Sequence, residues 1–450
     1  MGQPMPCEAP SPSRYLLPIP LEKLRGLRSL AAVMAHGGIA GAADALCLTR
    51  ASVSRSLGDL EERCGAQLLQ RIGRGTHITS LGEHLARRAA TVFELLQVGA
   101  EEAANAQGAN PTPSVRSRAR RFGRAVSSRM LKAILCLEAE GSERSAARRL
   151  QIGQTSVHRA LVALEHLAGA ALFVRTSHGS TFTPSGSILL HRIKLAVREA
   201  EAFEEDLRAW QGERTARVVI GIAPATASIL LSKAVAMMRG RAPRLDFVVI
   251  EGAEDMLLRR LRDGEIDLMI GLLREERDDL LRVRLCEAHL TVLARTGHPC
   301  ALEAALVPEH LGRWDCIWPV RGSAAALVWQ RGFVSAECGS PKPILETSSH
   351  GLVHTLLSSS DQIALVVTGP DDAAPHGLTR SPVRTSPQSD WFVGAAVRRQ
   401  AQPVGAVLQT LQCLQAAAPE PSFGDALNDA LTTQIAPFGS VLLPTFEPQP

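Results

Sequence analysis

Residues 145–186 read SAARRLQIGQTSVHRALVALEHLAGAALFVRTSHGSTFTPSG, and residues 41–82 read GAADALCLTRASVSRSLGDLEERCGAQLLQRIGRGTHITSLG. The two stretches share residue types in one unbroken register. Ala42 and Ala146, Leu46 and Leu150, Val53 and Val157, Arg55 and Arg159, Leu60 and Leu164, and Glu61 and Glu165 stand 104 positions apart. So do Gly65 and Gly169, Leu68 and Leu172, Arg71 and Arg175, Gly75 and Gly179, Thr79 and Thr183, and Gly82 and Gly186. A gap-free offset over this many positions reads as a duplicated domain. Solenoid units are shorter, roughly 20–50 residues.

Within each stretch the pattern predicts three helices and a hairpin. Leu24, Leu27, Leu30, Ala31 and Met34 keep helical spacing until Gly37-Gly38 stops it. A short helix with small Ala42 and Ala43 follows, and then Thr49 can cap a third helix over residues 50–64, ended by Gly65. Residues 67–79, with Gly73 and Gly75, read as a hairpin. The second copy repeats the plan. Three helices and a hairpin make a winged helix-turn-helix, whose last helix fits the DNA major groove and presents its N-terminal residues to base edges.

That geometry nominates Arg50, Ser52, Ser54 and Arg55 in the first copy, and Gln154, Thr155, Ser156, His158 and Arg159 in the second. Arg pairs bidentately with guanine and Gln with adenine, whereas hydroxyls more often hold phosphate. Arg71, Arg74 and Arg175 at the hairpins are candidates for the backbone. Between the copies, residues 116–132 carry seven Arg or Lys and no acid, which suits phosphate contact.

The flanking segments divide the chain of 450 residues. Residues 1–20 are a Pro-rich leader expected to be disordered; 21–107 hold the first winged helix-turn-helix and a following helix; 108–124 form a basic linker. Residues 125–211 hold the second winged helix-turn-helix and a long helix from Pro184 to Trp210. The apolar stripe of that helix (Ile188, Leu189, Ile193, Val197, Ala200, Phe203, Leu207) is wide enough to predict a helix-to-helix dimer seam, with an intramolecular core as the alternative. Beyond residue 212, short strands alternate with helices, the signature of parallel βαβ units. The Pro-rich tail, 419–450, receives no structure.

The composite of Ala-Ala-x-x-Leu, Ser-Val-Ser-Arg (Ser52–Arg55) or Ser-Val-His-Arg (Ser156–Arg159), Leu-Glu, Gly, Leu-Phe-x-Arg (Leu172–Arg175) and Thr-Pro-x-Gly (Thr183–Gly186) resembles the LysR-type transcriptional regulators. Residues 251–268 and Ser360–Ala364 resemble that family's effector domain. The resemblance implies a multidomain fold: two all-α winged helix-turn-helix domains, then a two-lobed α/β effector domain like that of periplasmic solute-binding proteins, over 212–418. The extra copy departs from the family's single winged helix. So do His158 in place of Ser, His178 in place of Arg, Leu69 in place of Phe and Ser80 in place of Pro.

The same resemblance implies double-stranded DNA, a small-molecule effector and a homodimer or homotetramer as partners. Strand-to-helix turns with free amides and hydroxyls suit an organic anion. Pro224, Thr226, Ser228, Arg321, Ser323, Thr347 and Ser348 are the effector candidates, with Arg321 the foremost.

Other classes are weaker. There is no nucleophile elbow, P-loop, HExxH or Cys/His metal spacing, so neither an enzyme nor a cofactor or metal is expected. No apolar run reaches a membrane span, and nine cysteines without a CxxC pair suit a reducing cytoplasm. Two alternatives stay open. The first copy could serve only for dimerisation or interaction, and Cys286 with Cys300 could make the chain redox-responsive.

Overall fold

The computed structural model describes residues 20–72, 75–106, 112–176, 179–212, 216–223, 228–241, 245–274, 279–303, 306–369, 374–384, 391–399 and 405–418. These fall into two compact units that divide near residue 213. The expected leader and tail lie outside the described residues.

The first unit begins with α1 (Leu24–His36), α2 (Ile39–Leu46), α3 (Arg50–Cys64), the hairpin β1 (Leu69–Ile72) and β2 (Gly75–Ile78), and α4 (Ser80–Ala106). After α5 (Pro113–Arg120) and α6 (Phe122–Ala125) come α7 (Ser128–Glu140), α8 (Glu143–Leu150), α9 (Gln154–Ala168), β3 (Phe173–Thr176), β4 (Gly179–Phe182) and α10 (Pro184–Trp210). Every element from α1 to α4 recurs 104 positions later with matching bounds.

Local causes recur with the bounds. Leu27, Leu30, Val53, Leu57 and Leu60 are buried on the shared face of α1 and α3, and Val157, Leu161 and Leu164 on that of α9. Ala42 and Ala43, like Ala146 and Ala147, bury small side chains where α2 and α8 meet their neighbours. Cys47 and Gln151 both adopt φ +54° at helix C-caps. A Cβ at Gly82 or Gly186 would lie 2.1 Å from the carbonyl oxygen of Leu68 or Leu172, so only glycine lets the long helix start beside the hairpin.

The basic linker is more ordered than its charge suggests. Ala119, Phe122 and Gly123 are buried, with α5 and α6 packed on α4, while Arg120, Arg121, Arg124 and Arg129 stay exposed. Arg28 of α1 donates to the carbonyls of Gly123 (3.0 Å) and Val126 (2.8 Å) and lies over the Phe93 ring.

The long helix α10 finds its partner inside the chain: α4 and α10 pack antiparallel along their lengths. The apolar stripe on Leu189, Ile193, Val197, Ala200 and Phe203 is buried together with Leu85, Ala89, Leu96 and Ala103. The intermolecular dimer seam expected for this stripe is therefore replaced by an intramolecular one, because α4 carries the same periodicity as α10.

The second unit contains β5 (Ala216–Ile222), α11 (Ser228–Arg241), β6 (Leu245–Glu251), α12 (Glu254–Arg262), β7 (Leu268–Arg274), β8 (Leu280–Glu287), β9 (His289–Arg295), β10 (Cys316–Trp318) and α13 (Ala324–Ser335). It continues with β11 (Pro343–Glu346), α14 (His350–Ser358), β12 (Ile363–Thr368), β13 (Leu378–Pro382), β14 (Trp391–Arg398) and α15 (Gly405–Ala417). One sheet has the order β6-β5-β7-β14-β8, the other β11-β10-β12-β9-β13. The chain passes between them at Ala288 and again between Pro382 and Trp391.

Among the described strands, β5 pairs in parallel with β6 and β7, and β10 with β11 and β12. Strands β14 and β9 run antiparallel to their neighbours, so the sheets are mixed rather than parallel throughout. Three strands are not evident in the sequence: β8, β11 and β13. All lie at sheet edges, and β11 and β13 carry Pro343 and Pro382, which edge positions tolerate.

Candidate nucleic-acid interface and effector cavity

Helix α3 is capped by the Thr49 hydroxyl, which accepts from the Ser52 amide at 3.1 Å and lies 2.8 Å from the Ser52 hydroxyl. Arg50, Ser52, Ser54 and Arg55 are exposed along its first two turns, opposite buried Val53 and Leu57. On α9, Gln154, Thr155 and Arg159 are exposed, and Ser156 and His158 half-buried, opposite Val157. Each set thus lies on one outward face of its helix. His158 Nδ1 is 3.2 Å from the Glu143 carboxylate in the first turn of α8, so this side chain is braced across the helix-turn-helix; the first copy has Ile39 and Ser54 at those positions.

The hairpins are fixed by a carboxylate that sequence reading matched but gave no role. Glu61 accepts from the amides of Leu68 (2.7 Å) and Leu69 (2.9 Å), and Glu165 from those of Leu172 (2.8 Å) and Phe173 (3.2 Å). Arg71 pairs with Thr76 in one hairpin and Arg175 with Ser180 in the other. Their side chains, and Arg74, lie outside the described residues.

In the second unit a cavity of about 610 Å³ lies between the two sheets. Ser323, which caps α13, and Thr347 and Ser348, which precede α14, are among the residues that line it. Pro224, Thr226 and the Ser228 side chain lie outside the described residues. Arg321 is not among the lining residues. Its side chain is 78% exposed and paired with Glu346 at 2.9 Å, because the turn that carries it points its backbone amide at the same carboxylate. The expectation that Arg321 is the foremost anion contact is corrected accordingly.

Sequence reading missed the cavity's own donors. Arg380 on β13 and Trp318 on β10 both line it, and Arg380 Nε and Trp318 Nε1 are buried without a hydrogen-bond partner. By contrast, the fully buried Trp329 donates to the Val366 carbonyl at 3.1 Å. The Arg380 guanidinium is anchored through Nη2 to the Thr368 hydroxyl (2.7 Å) and the Gly369 carbonyl (2.9 Å). A Pro-ended edge strand gives no sequence signal for such a donor.

Cys300 is fully buried, and burial, reinforced by Glu303, pushes its thiol up to about 11. Cys286 is buried on β8. Among the described residues no group of His, Cys, Asp and Glu could hold a metal ion, and no single helix is long and apolar enough to cross a membrane.

The family model for the bacterial regulatory helix-turn-helix protein, lysR family, matches residues 24–83 and again 128–187, and that for the LysR substrate binding domain matches 211–419. The transcriptional regulator GalR of Pseudomonas putida is 30% identical over 354 residues, 78% of this chain and 86% of the relative. The chain belongs to the LysR family of transcriptional regulators.

This LysR-type regulator is also 31% identical to the transcriptional regulator SyrM 1 of Sinorhizobium fredii over 56% of its own length and 73% of the relative's. A full-length OxyR cysteine variant from Pseudomonas aeruginosa shares the fold, with a TM-score of 0.51 at 20% identity, over 64% of this chain and 95% of that one. The regulator therefore joins a DNA-binding helix-turn-helix to an effector-binding α/β domain, and its relatives are named as regulators rather than enzymes.

Proposed function

We propose that both helix-turn-helix segments are working DNA-binding domains, copies of one ancestral unit, and that the α/β half is a two-lobed, periplasmic-binding-protein-like sensor for a small organic anion. Arg50, Ser52, Ser54 and Arg55, with Gln154, Thr155, Ser156, His158 and Arg159, face the DNA. Arg71, Arg74 and Arg175 with the exposed arginines of α5 and α6 contact phosphate. A cytoplasmic homo-oligomer without catalytic activity is the setting this reading implies.

The observation that carries the anion is the pair of buried, partnerless donors, Arg380 Nε and Trp318 Nε1, in the wall of one cavity. Buried donors in proteins are almost always satisfied, and an acceptor on a ligand in this cavity would satisfy both. The N-termini of α13 and α14 lie at the same cavity and favour negative charge. Glu251 at the end of β6 and Glu254 at the start of α12 line it from the other side, with His350 Nδ1 3.9 Å from Glu251, so the anionic end belongs at Arg380. Leu272, Leu293, Ile317 and Val353 suit an apolar body.

The test has two arms. The full-length chain should retain a duplex selected from random-sequence DNA over unselected duplex, with affinity falling steeply as salt rises. A panel of aromatic and aliphatic carboxylates, screened by thermal shift, should contain a binder whose effect is lost in Arg380→Gln. Failure of every duplex to compete would remove the regulator assignment, and binders unaffected by Arg380→Gln would remove the anion site.

A further inference from the structure

Two of the ion pairs that join α4 to α10 are the same pair used twice. Arg88 Nε donates to Asp206 at 2.9 Å; Arg192 Nε donates to Glu102 at 2.9 Å. Adding the repeat offset to 88 gives 192, and adding it to 102 gives 206, so the two copies exchange roles across the seam. A second exchange occurs where the first copy meets the start of the second. Arg28 donates to the Val126 carbonyl at 2.8 Å, and Lys132, its counterpart, reaches Glu22, the counterpart of Val126, at 3.4 Å.

When residue i of one unit meets j of the other and j of the first meets i of the second, the interface is isologous, the signature of a two-fold axis. Such an interface ordinarily joins two chains. Here both halves lie in one polypeptide, and the seam is filled: Gly99 approaches α10 so closely that a Cβ would lie 2.5 Å from Arg192 Cβ.

We infer that a single chain is a covalent pseudo-dimer for DNA, presenting α3 and α9 as a two-fold-related pair that docks on two half-sites of one duplex. The inference rests on the proposed DNA-binding role of both segments and adds their stoichiometry. A two-fold pair of recognition helices reads half-sites that are inverted and spaced by about one helical turn or a multiple of it. The two copies differ at the reading positions, Arg50 and Ser54 against Gln154 and His158, so the half-sites are inverted in geometry but unequal in sequence.

The test uses the full-length chain and a duplex it selects from random-sequence DNA. Footprinting should show two protected half-sites, and sedimentation of labelled duplex should give two half-sites per chain. Arg55→Glu should erase protection over one half-site and Arg159→Glu over the other. Each should weaken binding by about 10²–10⁴-fold, the gain that tethering two modules provides. An unchanged footprint in Arg55→Glu, or two chains for two half-sites, overturns the pseudo-dimer while leaving a DNA-binding regulator in place. Recovery of no preferred duplex overturns both.

Discussion

Arg88 and Asp206, 118 residues apart in sequence, form a buried ion pair toward one end of the α4–α10 seam, with Glu199 accepting from the other side of the same guanidinium at 3.0 Å. Burial works to lower the Arg88 pKa, but Glu199 and Asp206 outweigh it and hold the group above its ordinary value. His84 completes the cluster at 2.9 Å from Asp206.

Arg88→Met leaves two buried carboxylates without their cation and should cost about 3–5 kcal/mol, the usual penalty for breaking a buried pair. Arg192→Met, at the same position of the second copy, removes a half-exposed pair with Glu102 and should cost under about 1 kcal/mol. Urea unfolding of the two full-length variants measures the difference. Equal losses would show that burial does not set the worth of these pairs.

Acid should loosen the same seam. Burial works to raise the Asp206 pKa, yet the hydrogen bond from His84 and the charge of Arg88 prevail and hold it below the ordinary carboxylate value. Its contribution to stability is complete above about pH 4, the unfolded value, and is lost as pH falls through the lower folded value. Asp206→Asn should flatten that part of the stability–pH curve; an unchanged slope would assign acid sensitivity elsewhere.

The carboxylates that hold the wings predict a mixed phenotype. Glu165→Ala frees the Leu172 and Phe173 amides and should lower stability by about 1.5–3 kcal/mol, as for hydrogen bonds to charged acceptors. The same variant should weaken DNA binding through hairpin mobility, read as faster amide exchange at residues 172–176. Glu61→Ala should behave alike in the first copy.

Alkylation separates the thiols. Cys47 is exposed, whereas burial, with Asp315 adding to it, pushes Cys316 up to about 12, and Cys300 stands at about 11. At neutral pH both buried thiols are protonated, so iodoacetamide should modify Cys47 in the native chain and spare Cys300 and Cys316. Mass spectrometry of digested native protein reads this directly, and modification of Cys300 at the rate of Cys47 would favour the redox-responsive alternative.

Arg321→Ala should leave carboxylate binding unchanged, since its guanidinium is exposed and paired with Glu346, while Arg380→Gln abolishes it. Titration of both variants with one carboxylate compares the two arginines.

The sequence by itself determined the local structure of the first unit. Helical spacing, Gly37 and Gly65 as stops, Thr49 as a cap, and a constant offset of 104 placed each helix of the two repeats within a residue or two of its observed bounds, whereas α5 and α6 fall in the stretch read as a basic linker. These signals act over three or four residues, and so they survive in a linear reading. What the long helices face was decided only by the tertiary structure. An apolar stripe records that a partner exists but not which chain supplies it, and α10 is covered by α4 of the same polypeptide. The cavity of the second unit followed the same rule: Ser323, Thr347 and Ser348 were legible as residues preceding helices, whereas Arg380 and Trp318 come from strands 62 positions apart that only the folded sheet brings to one wall. Whether a buried donor keeps a partner depends on neighbours distant in sequence, and hydrogen-bond satisfaction is a property of the packed fold.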